Sequence, residues 1–512
     1  MTARLLRVRP EHYVDSVLLM TATRTMLGGP GVEWATAVVG TPANLETLAG
    51  EGFEGGDLHG AGANDLVFAV RAGSKAEGEA ALDAGGAVLS ERASGVRREE
   101  RRPGSLEEAV AAIPGANVAL VSVPGTYAAM EAHRALSAGL HVLLFSDNVP
   151  VEAEVELKAR ALNLGLLMMG PGAGTAVLGG VGLGFANAVR RGPVGVIAAA
   201  GTGAQEVMSL LDRWRTGVSH VIGVGGRDLS EPVGGCMTRQ AVRALVDDPA
   251  TEILLLVSKP PSPAVAASLL QELGTKPVVV ALLGLEGDLP AGSEVRVERT
   301  LEAAALATLD GLGLPPPDLT AGLEGAVTGA MARLSSERAA VRGLFSGGTL
   351  CYEAMVMLSA RLGPVYSNTP LREGWGLPAP PGAHVCWDMG EEEYTRGRPH
   401  PMIDPEARSE EILRQGTDPA TAVVLVDVVL GYGSHPDPAS VLAPACAKVV
   451  GSADGPAVVV YVLGTEHDPQ GLDAKRRRLE DAGCIVAPTA ARAALVAGAI
   501  ASRRPELVRE RS

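Results

Sequence analysis

Residues 195–211 read GVIAAAGTGAQEVMSLL, and residues 343–358 read GLFSGGTLCYEAMVML. Each is a short apolar strand that ends in a small-residue turn and passes directly into a helix. The sequences downstream correspond as well. After the first come IGVGGRDLSEPVGG (222–235), DDPATEILLLVSKPP (247–261) and KPVVVALLG (276–284). After the second come WDMGEEEYTRGRPHP (387–401), TDPATAVVLVDVVLGYGSHPDP (417–438) and GPAVVVYVLGTE (455–466). Strand, Gly-Thr turn, helix, strand, Gly-rich turn, helix, Asp-Pro-Ala-Thr, strand, helix and strand recur in one order. This internal repeat predicts two related α/β domains, over 193–318 and 319–512. Glu206 to Asp248 is 42 residues and the equivalent Glu353 to Asp418 is 65, so the second copy carries an insertion. Its Pro/Gly-rich stretch PLREGWGLPAPPGAH (370–384) predicts a surface loop near a ligand or partner.

Ahead of the repeat, residues 14–70 alternate apolar strands (16–20, 34–39, 66–70) with helix-like stretches (21–27, 44–48), which predicts a small α+β unit over 1–72. A helix at 75–84, a polar loop, a strand at 118–123, a helix at 128–138 and a strand at 141–145 follow. That order implies a right-handed crossover in a parallel sheet, a Rossmann-like domain over 73–192.

The bulk composition sets limits. A chain of 512 residues exceeds one hydrophobic core, so three or four domains are expected. Aromatics at 3% leave the cores to Ala, Val, Leu and Ile, which suits parallel sheets covered by helices. A formal net charge of −15 and a pI near 5.2 exclude a general affinity for nucleic acid or an anionic membrane, so an anionic ligand must be held locally. The basic runs at 97–102 and 475–478 read as solvated faces. Five scattered cysteines without CxxC spacing indicate neither disulfides nor zinc. With no apolar signal-like run at the N-terminus, a cytoplasmic location is expected. Residues 161–189 lack charge, but eight glycines and Pro171 interrupt them, which argues against a membrane span.

Four turns carry the candidate chemistry. In Gly201-Thr202-Gly203 and Ser346-Gly347-Gly348-Thr349, glycines let backbone N–H groups converge at a helix start, where the dipole favours a phosphate or carboxylate. The alternative is that they only permit a tight turn. Gly225-Gly226-Arg227-Asp228 and Gly390-Glu391-Glu392-Glu393 end the next strands, at the carboxyl edge where ligands gather. Arg227 has the planar fork that matches an anion, with a salt bridge to Asp228 or Glu231 as the alternative. Asp427 stands inside the apolar run AVVLVDVVL (422–430), where a carboxylate needs partners. His435, just past that strand, is a candidate acid, base or anion donor, or an ordinary loop histidine. A metal pair of His435 and Asp437 lacks a third ligand, so no metal is expected. GVGLGFAN (180–187) imitates a dinucleotide fingerprint without its strand-turn-helix frame, and no Walker, GxSxG or HExxH motif is present.

ANVALVSVPGTYAAMEAHRALSAGLHVLLFSDNVP (116–150), GLLMMGPGAG (165–174) and GPVGVIAAAGTG (192–203) resemble the α subunit of succinyl-CoA synthetase. SGGTLCYEA (346–354) looks closer still to its phosphate-facing helix start, and IGVGGRDLS with DPATE matches its ligase domain. With the NDLVFAV unit (64–70) and the duplicated domain, the whole chain resembles the FdrA family, often labelled acyl-CoA synthetase. The resemblance implies a CoA-binding-type Rossmann-like domain with Pro124 and Asn148 as cofactor contacts, CoA as a possible cofactor, and two flavodoxin-like ligase domains. Three features depart from the synthetases. KPVVVALLGLEGDLPAG (276–292) lacks their phosphorylated histidine, no ATP-grasp module is present, and the Gly-rich CoA loop is reduced to VRAGSKAEG (70–78). Ala198-Ala199-Ala200 replaces the Ser-Arg-Ser ahead of the first Gly-Thr, whereas Ser346 is kept, so the working anion site is expected in the second copy. The implied activity is that of a subunit of a carbamoyltransferase in allantoin breakdown, converting oxalurate and phosphate to oxamate and carbamoyl phosphate. Companion subunits of the same operon, a homo- or hetero-oligomer and a small anionic substrate go with it. Arg227 would clamp the substrate, and Asp427 or His435 would handle protons. An acyl-CoA synthetase component and a non-catalytic scaffold are the alternatives.

Overall fold

A computed structural model of the chain describes residues 3–10, 14, 16–53, 60–62, 65–94, 103–285, 295–395 and 399–511. They form two compact units, Met1–Gly104 and Ser105–Ser512. In the first, β1 (Ala3–Arg9), β2 (Val32–Val39) and β3 (Leu66–Ala72) make an antiparallel sheet in the order β1-β3-β2. Helices Ser16–Leu27 and Lys75–Ser94 cover one face, burying Leu19, Ala22, Met26 and Leu82 with Phe68 and Val70. Leu48 of helix Pro42–Gly50 and Phe53 cover Val67 and Ala69 on the other.

Three expectations change here. Residues 16–20 open a helix rather than a strand, because Leu19, Ala22 and Met26 recur at helical spacing and together face the sheet. β1 escaped notice because its three arginines hide the apolar residues between them. Lys75–Ser94 packs on the first sheet, so the first unit runs to Gly104 instead of ending at residue 72.

The second unit begins with a three-stranded parallel sheet of β4 (Val118–Val121), β5 (His141–Leu144) and β6 (Met168–Met169), crossed by helices Gly125–Ser137 and Val151–Asn163. This is the Rossmann-like piece, and it is shorter than expected. β7 (Thr175–Leu178) and β8 (Val181–Gly184) form a hairpin that joins the next sheet through β7. The charge-free stretch and its fingerprint-like glycines thus lie largely in a strand, turns and this hairpin, and no helix among the described residues is long and apolar enough to cross a membrane.

The repeat appears directly in the strand order. β9 (Arg191–Ala199), β10 (Val218–Gly223), β11 (Ile253–Ser258), β12 (Val278–Leu282) and β13 (Val295–Glu298) are parallel in the order β13-β12-β11-β9-β10, with the hairpin beyond β10. β14 (Ala340–Phe345), β15 (Val365–Ser367), β16 (His384–Asp388), β17 (Thr421–Val429), β18 (Ala457–Leu463) and β19 (Ile485–Ala487) give β19-β18-β17-β14-β16, with β15 beyond β16. The insertion supplies that extra edge strand. Every residue of β11, β12 and β17 is buried, as a parallel sheet covered on both faces requires. The two sheets share one core through helices Gly201–Arg213, Leu301–Gly311, Gly348–Leu362 and Ala490–Ser502. The chain is therefore α/β throughout its second unit, with the duplicated domains fused.

Candidate active site

β5, β10, β11 and β16 all end at one cleft of about 610 Å³. Asp147 and Asn148 come from the Rossmann-like sheet, Gly226, Arg227 and Lys259 from the first repeat, and Gly390, Glu391 and Glu392 from the second. Carboxyl ends of parallel strands are where open α/β sheets hold ligands.

A buried ion network positions the Arg227 wall. Arg227 Nε donates to Glu154 Oε2 at 2.9 Å and Nη2 to Val149 O at 2.7 Å. Its partner is thus Glu154 of the Rossmann-like helix, rather than Asp228 or Glu231. Lys158, fully buried, bridges Glu154 Oε1 and Asp228 Oδ1 at 2.8 Å each and donates to Val224 O at 2.9 Å. Asp228 Oδ2 in turn accepts from Thr238 N–H and Oγ1. Each charge in the network is paired, which is the condition for burying it. Gly225 sits at φ 91°, and a Cβ there would stand 2.8 Å from Pro171 O, so the turn requires glycine.

The two helix starts differ in a way opposite to the expectation. In the second copy, Asp427 accepts from Ser346 N–H at 2.8 Å, Ser346 Oγ at 3.0 Å and Gly347 N–H at 2.7 Å. Thr349 N–H donates to Thr202 Oγ1 at 3.2 Å. The cradle of Ser346, Gly347, Gly348 and Thr349 is thus filled by the protein's own carboxylate and hydroxyl. Asp427, 1% exposed, also pairs with buried Arg408 at 3.2 Å and is enclosed rather than offered to the cleft. In the first copy the amides of Gly201, Thr202 and Gly203 have no such carboxylate among the described residues, and a Cβ on Gly201 would meet nothing within 4 Å. Gly201 lies beside Gly172 and Gly226, which the cleft shares.

His435 is half-buried outside the cleft lining. Its Nδ1 accepts from Asp437 N–H at 3.1 Å and its own N–H donates to Met402 O at 2.8 Å. Pro124 precedes helix Gly125–Ser137, and Gly125 seats against the backbone of Asp147 and Asn148, where a Cβ would stand 2.3 Å from Asp147 O. Asn148, in the left-handed region at φ 58°, lines the cleft. The structure therefore gathers Arg227, Gly226 and Asn148 at the cleft and leaves Asp427 and His435 apart from it.

Several residues escaped the sequence reading. Lys259, directly after β11, lines the cleft with its Nζ 6.0 Å from the Tyr352 ring centroid, and among the described residues it makes no ion pair. Its signal was only a lysine immediately following an apolar strand. Asp388, at the end of β16, is 2% exposed, and burial pushes its carboxyl up to about 6 against the pull of Lys259. Burial and then Glu391 likewise raise Asp147. Burial lowers His400 to about 4, and its Nδ1 accepts from Met402 N–H.

Family comparisons agree with the α/β fold. The CoA-ligase family model matches residues 344–500, within the second repeat. The AllF heavy metal-associated domain matches residues 1–103. That unit has no cysteine, and among its described residues no group of three His, Cys, Asp or Glu fits a heavy-metal site. YahF of Escherichia coli (strain K12) is 38% identical over 501 residues, 96% of this chain and 97% of that protein, and the chain belongs to its family. The α subunit of the ADP-forming succinate–CoA ligase of Aquifex aeolicus is 28% identical over 151 residues, 28% of this chain and 48% of that subunit. The chain thus spans about half the length of that ligase subunit. The apo form of an acetyl-coenzyme A synthetase from Ca. Korarchaeum cryptofilum covers 77% of this chain and 84% of its own, at 16% identity and a TM-score of 0.30.

Proposed function

We propose that the chain is the acyl-handling component of a succinyl-CoA synthetase-like CoA ligase, binding a small carboxylate or acyl phosphate in the cleft and working with companion subunits. The observation that carries this is the meeting of Arg227 and Lys259 in the cleft, with the open helix start at Gly201 beside Gly226 of its lining, where strands of three sheets end. Lys259 and Arg227 would neutralise the anion, and the Gly201 amide would stabilise charge developing on a tetrahedral acyl centre. Asn148 and the turn after Pro124 offer the edge along which CoA, a substrate here, would enter. Titration calorimetry of the full chain with CoA and with inorganic phosphate tests the reading. Saturable binding of both, with phosphate binding lost in Lys259→Met, supports it, and silence with both rejects it.

A second reading, carbamoyl transfer of the FdrA kind, is favoured by the absence of histidine from residues 276–292. Without a phosphohistidine, phosphate oxygen would attack the carbamoyl carbon of oxalurate directly. The C–N bond breaks, and the leaving nitrogen takes a proton to give oxamate beside carbamoyl phosphate. Turnover of oxalurate with phosphate, independent of CoA, by the chain plus its companion subunits would select this reading over ligation.

A further inference from the structure

A pocket of about 560 Å³ lies at the other end of the strands that lead to the cleft. β5 starts there at His141 and runs toward Asp147 in the cleft, six residues or about 20 Å of extended chain away. The pocket walls are apolar, with Leu167, Leu178, Val181, Leu183, Ile222 and Leu245 in the lining. Its volume falls in the range that small-molecule sites occupy.

Two histidines, Asn117 and one carboxylate give the pocket its polarity. Leu167 N–H donates to His141 Nδ1 at 2.9 Å and Gly179 N–H to His220 Nδ1 at 3.1 Å. A neutral imidazole that accepts at Nδ1 carries its proton on Nε2. Burial pushes His141 below the ordinary histidine range, so at neutral pH its Nε2–H is a donor, and among the described residues that donor has no acceptor. His220 Nε2 instead lies 3.8 Å from Asp248 Oδ2. Asp248, held ionised chiefly by the Thr251 hydroxyl at 2.6 Å, places a fixed negative charge in the lining. Apolar walls, the neutral donor of His141 and a carboxylate that repels anions define a ligand unlike the one the cleft would take.

We propose that this pocket binds a neutral, mostly apolar small molecule through one carbonyl or hydroxyl oxygen that accepts from His141 Nε2–H, at a site separate from the cleft.

The test is a ¹⁹F NMR titration of the full chain with 4-fluoroacetophenone, a neutral aryl ketone, and with 4-fluorobenzoate, its anionic counterpart. Saturable ketone binding is expected, with the benzoate at least about tenfold weaker. Ala244→Trp, at an exposed helix position in the lining, fills the pocket without touching the core, and His141→Phe keeps a ring but removes the donor. Each is expected to weaken ketone binding by about tenfold or more. Ketone binding that does not saturate, equal affinity for the benzoate, or undiminished affinity in a folded Ala244→Trp chain overturns the proposal.

Discussion

Glu206 and Glu353 occupy the same place in the two repeats, and each receives the first N–H of a helix belonging to the other repeat. Glu353 Oε1 accepts from Leu301 N–H at 2.6 Å, and Glu206 Oε1 from Ala490 N–H at 3.4 Å. Those helices, Leu301–Gly311 and Ala490–Ser502, are themselves equivalent, each opened by a threonine cap, Thr300 or Thr489. The duplication is therefore exchanged at its centre, and neither half closes its own carboxylate.

This exchange makes stability depend on pH. Burial raises Glu206 to about 7 and Glu353 to about 8, and Glu353 Oε2 has no hydrogen-bond partner among the described residues. A carboxyl whose folded value lies above its unfolded one favours folding fully below the unfolded value of 4.5, and that contribution drains away as pH rises through the folded value. Glu353→Gln abolishes this dependence. Its melting temperature relative to the parent chain is expected to climb between pH 5 and pH 9, by the equivalent of a few kcal/mol, on the order a shift of this size implies. Calorimetric scans at four pH values check it, and parallel curves for the two proteins would refute the exchange of buried protons.

The repeat, the parallel sheets and the carboxyl-end turns were legible because strand periodicity, Gly-Thr turns and Asp-Pro-Ala-Thr are local signals. What stayed hidden depends on partners far apart in sequence. Asp427 looked functional because a carboxylate in an apolar strand is costly, and the sequence does not record that Ser346, Gly347 and Arg408 converge on it. Arg227 was placed at the right edge, but its partner Glu154 lies 73 residues earlier. Nothing local assigns Lys75–Ser94 to one unit or the other, because a helix after a strand reads alike in either fold.

Asp427 is accordingly expected to behave as a structural residue. Asp427→Ala leaves the Arg408 guanidinium, 2% exposed, without its carboxylate and two backbone N–H groups unsatisfied. Breaking a buried pair in this way costs about 3–5 kcal/mol. Urea unfolding should register that loss directly. A chain with unchanged stability but abolished turnover would instead return Asp427 to the chemistry.

The equivalent glycines of the two helix starts should respond in opposite ways to alanine. A Cβ on Gly348 would stand 2.4 Å from Asp388 Oδ2, whereas one on Gly201 has no neighbour within 4 Å. Gly348→Ala is expected to destabilise by about 1–3 kcal/mol through overpacking, and Gly201→Ala to be nearly neutral. Equal effects on the thermal midpoint would mean that the first helix start is closed too, and the open cradle would be lost with it.

The two cations of the cleft separate binding from architecture. Lys259 forms no ion pair among the described residues, so Lys259→Met should leave the melting temperature unchanged while weakening phosphate binding about tenfold, the loss of one direct charge contact. Arg227 serves two purposes, because its guanidinium also closes the Glu154–Lys158–Asp228 network. Arg227→Met therefore removes one of two cations from a carboxylate that is 1% exposed, and both phosphate affinity and stability should fall. Restoring a positive charge with Arg227→Lys should recover part of the affinity but little of the stability, since an ammonium does not reproduce the fork that reaches Glu154 and Val149 O together. Phosphate calorimetry alongside thermal melts on the three variants distinguishes the roles. A Lys259→Met protein that binds phosphate like the parent would place the anion elsewhere.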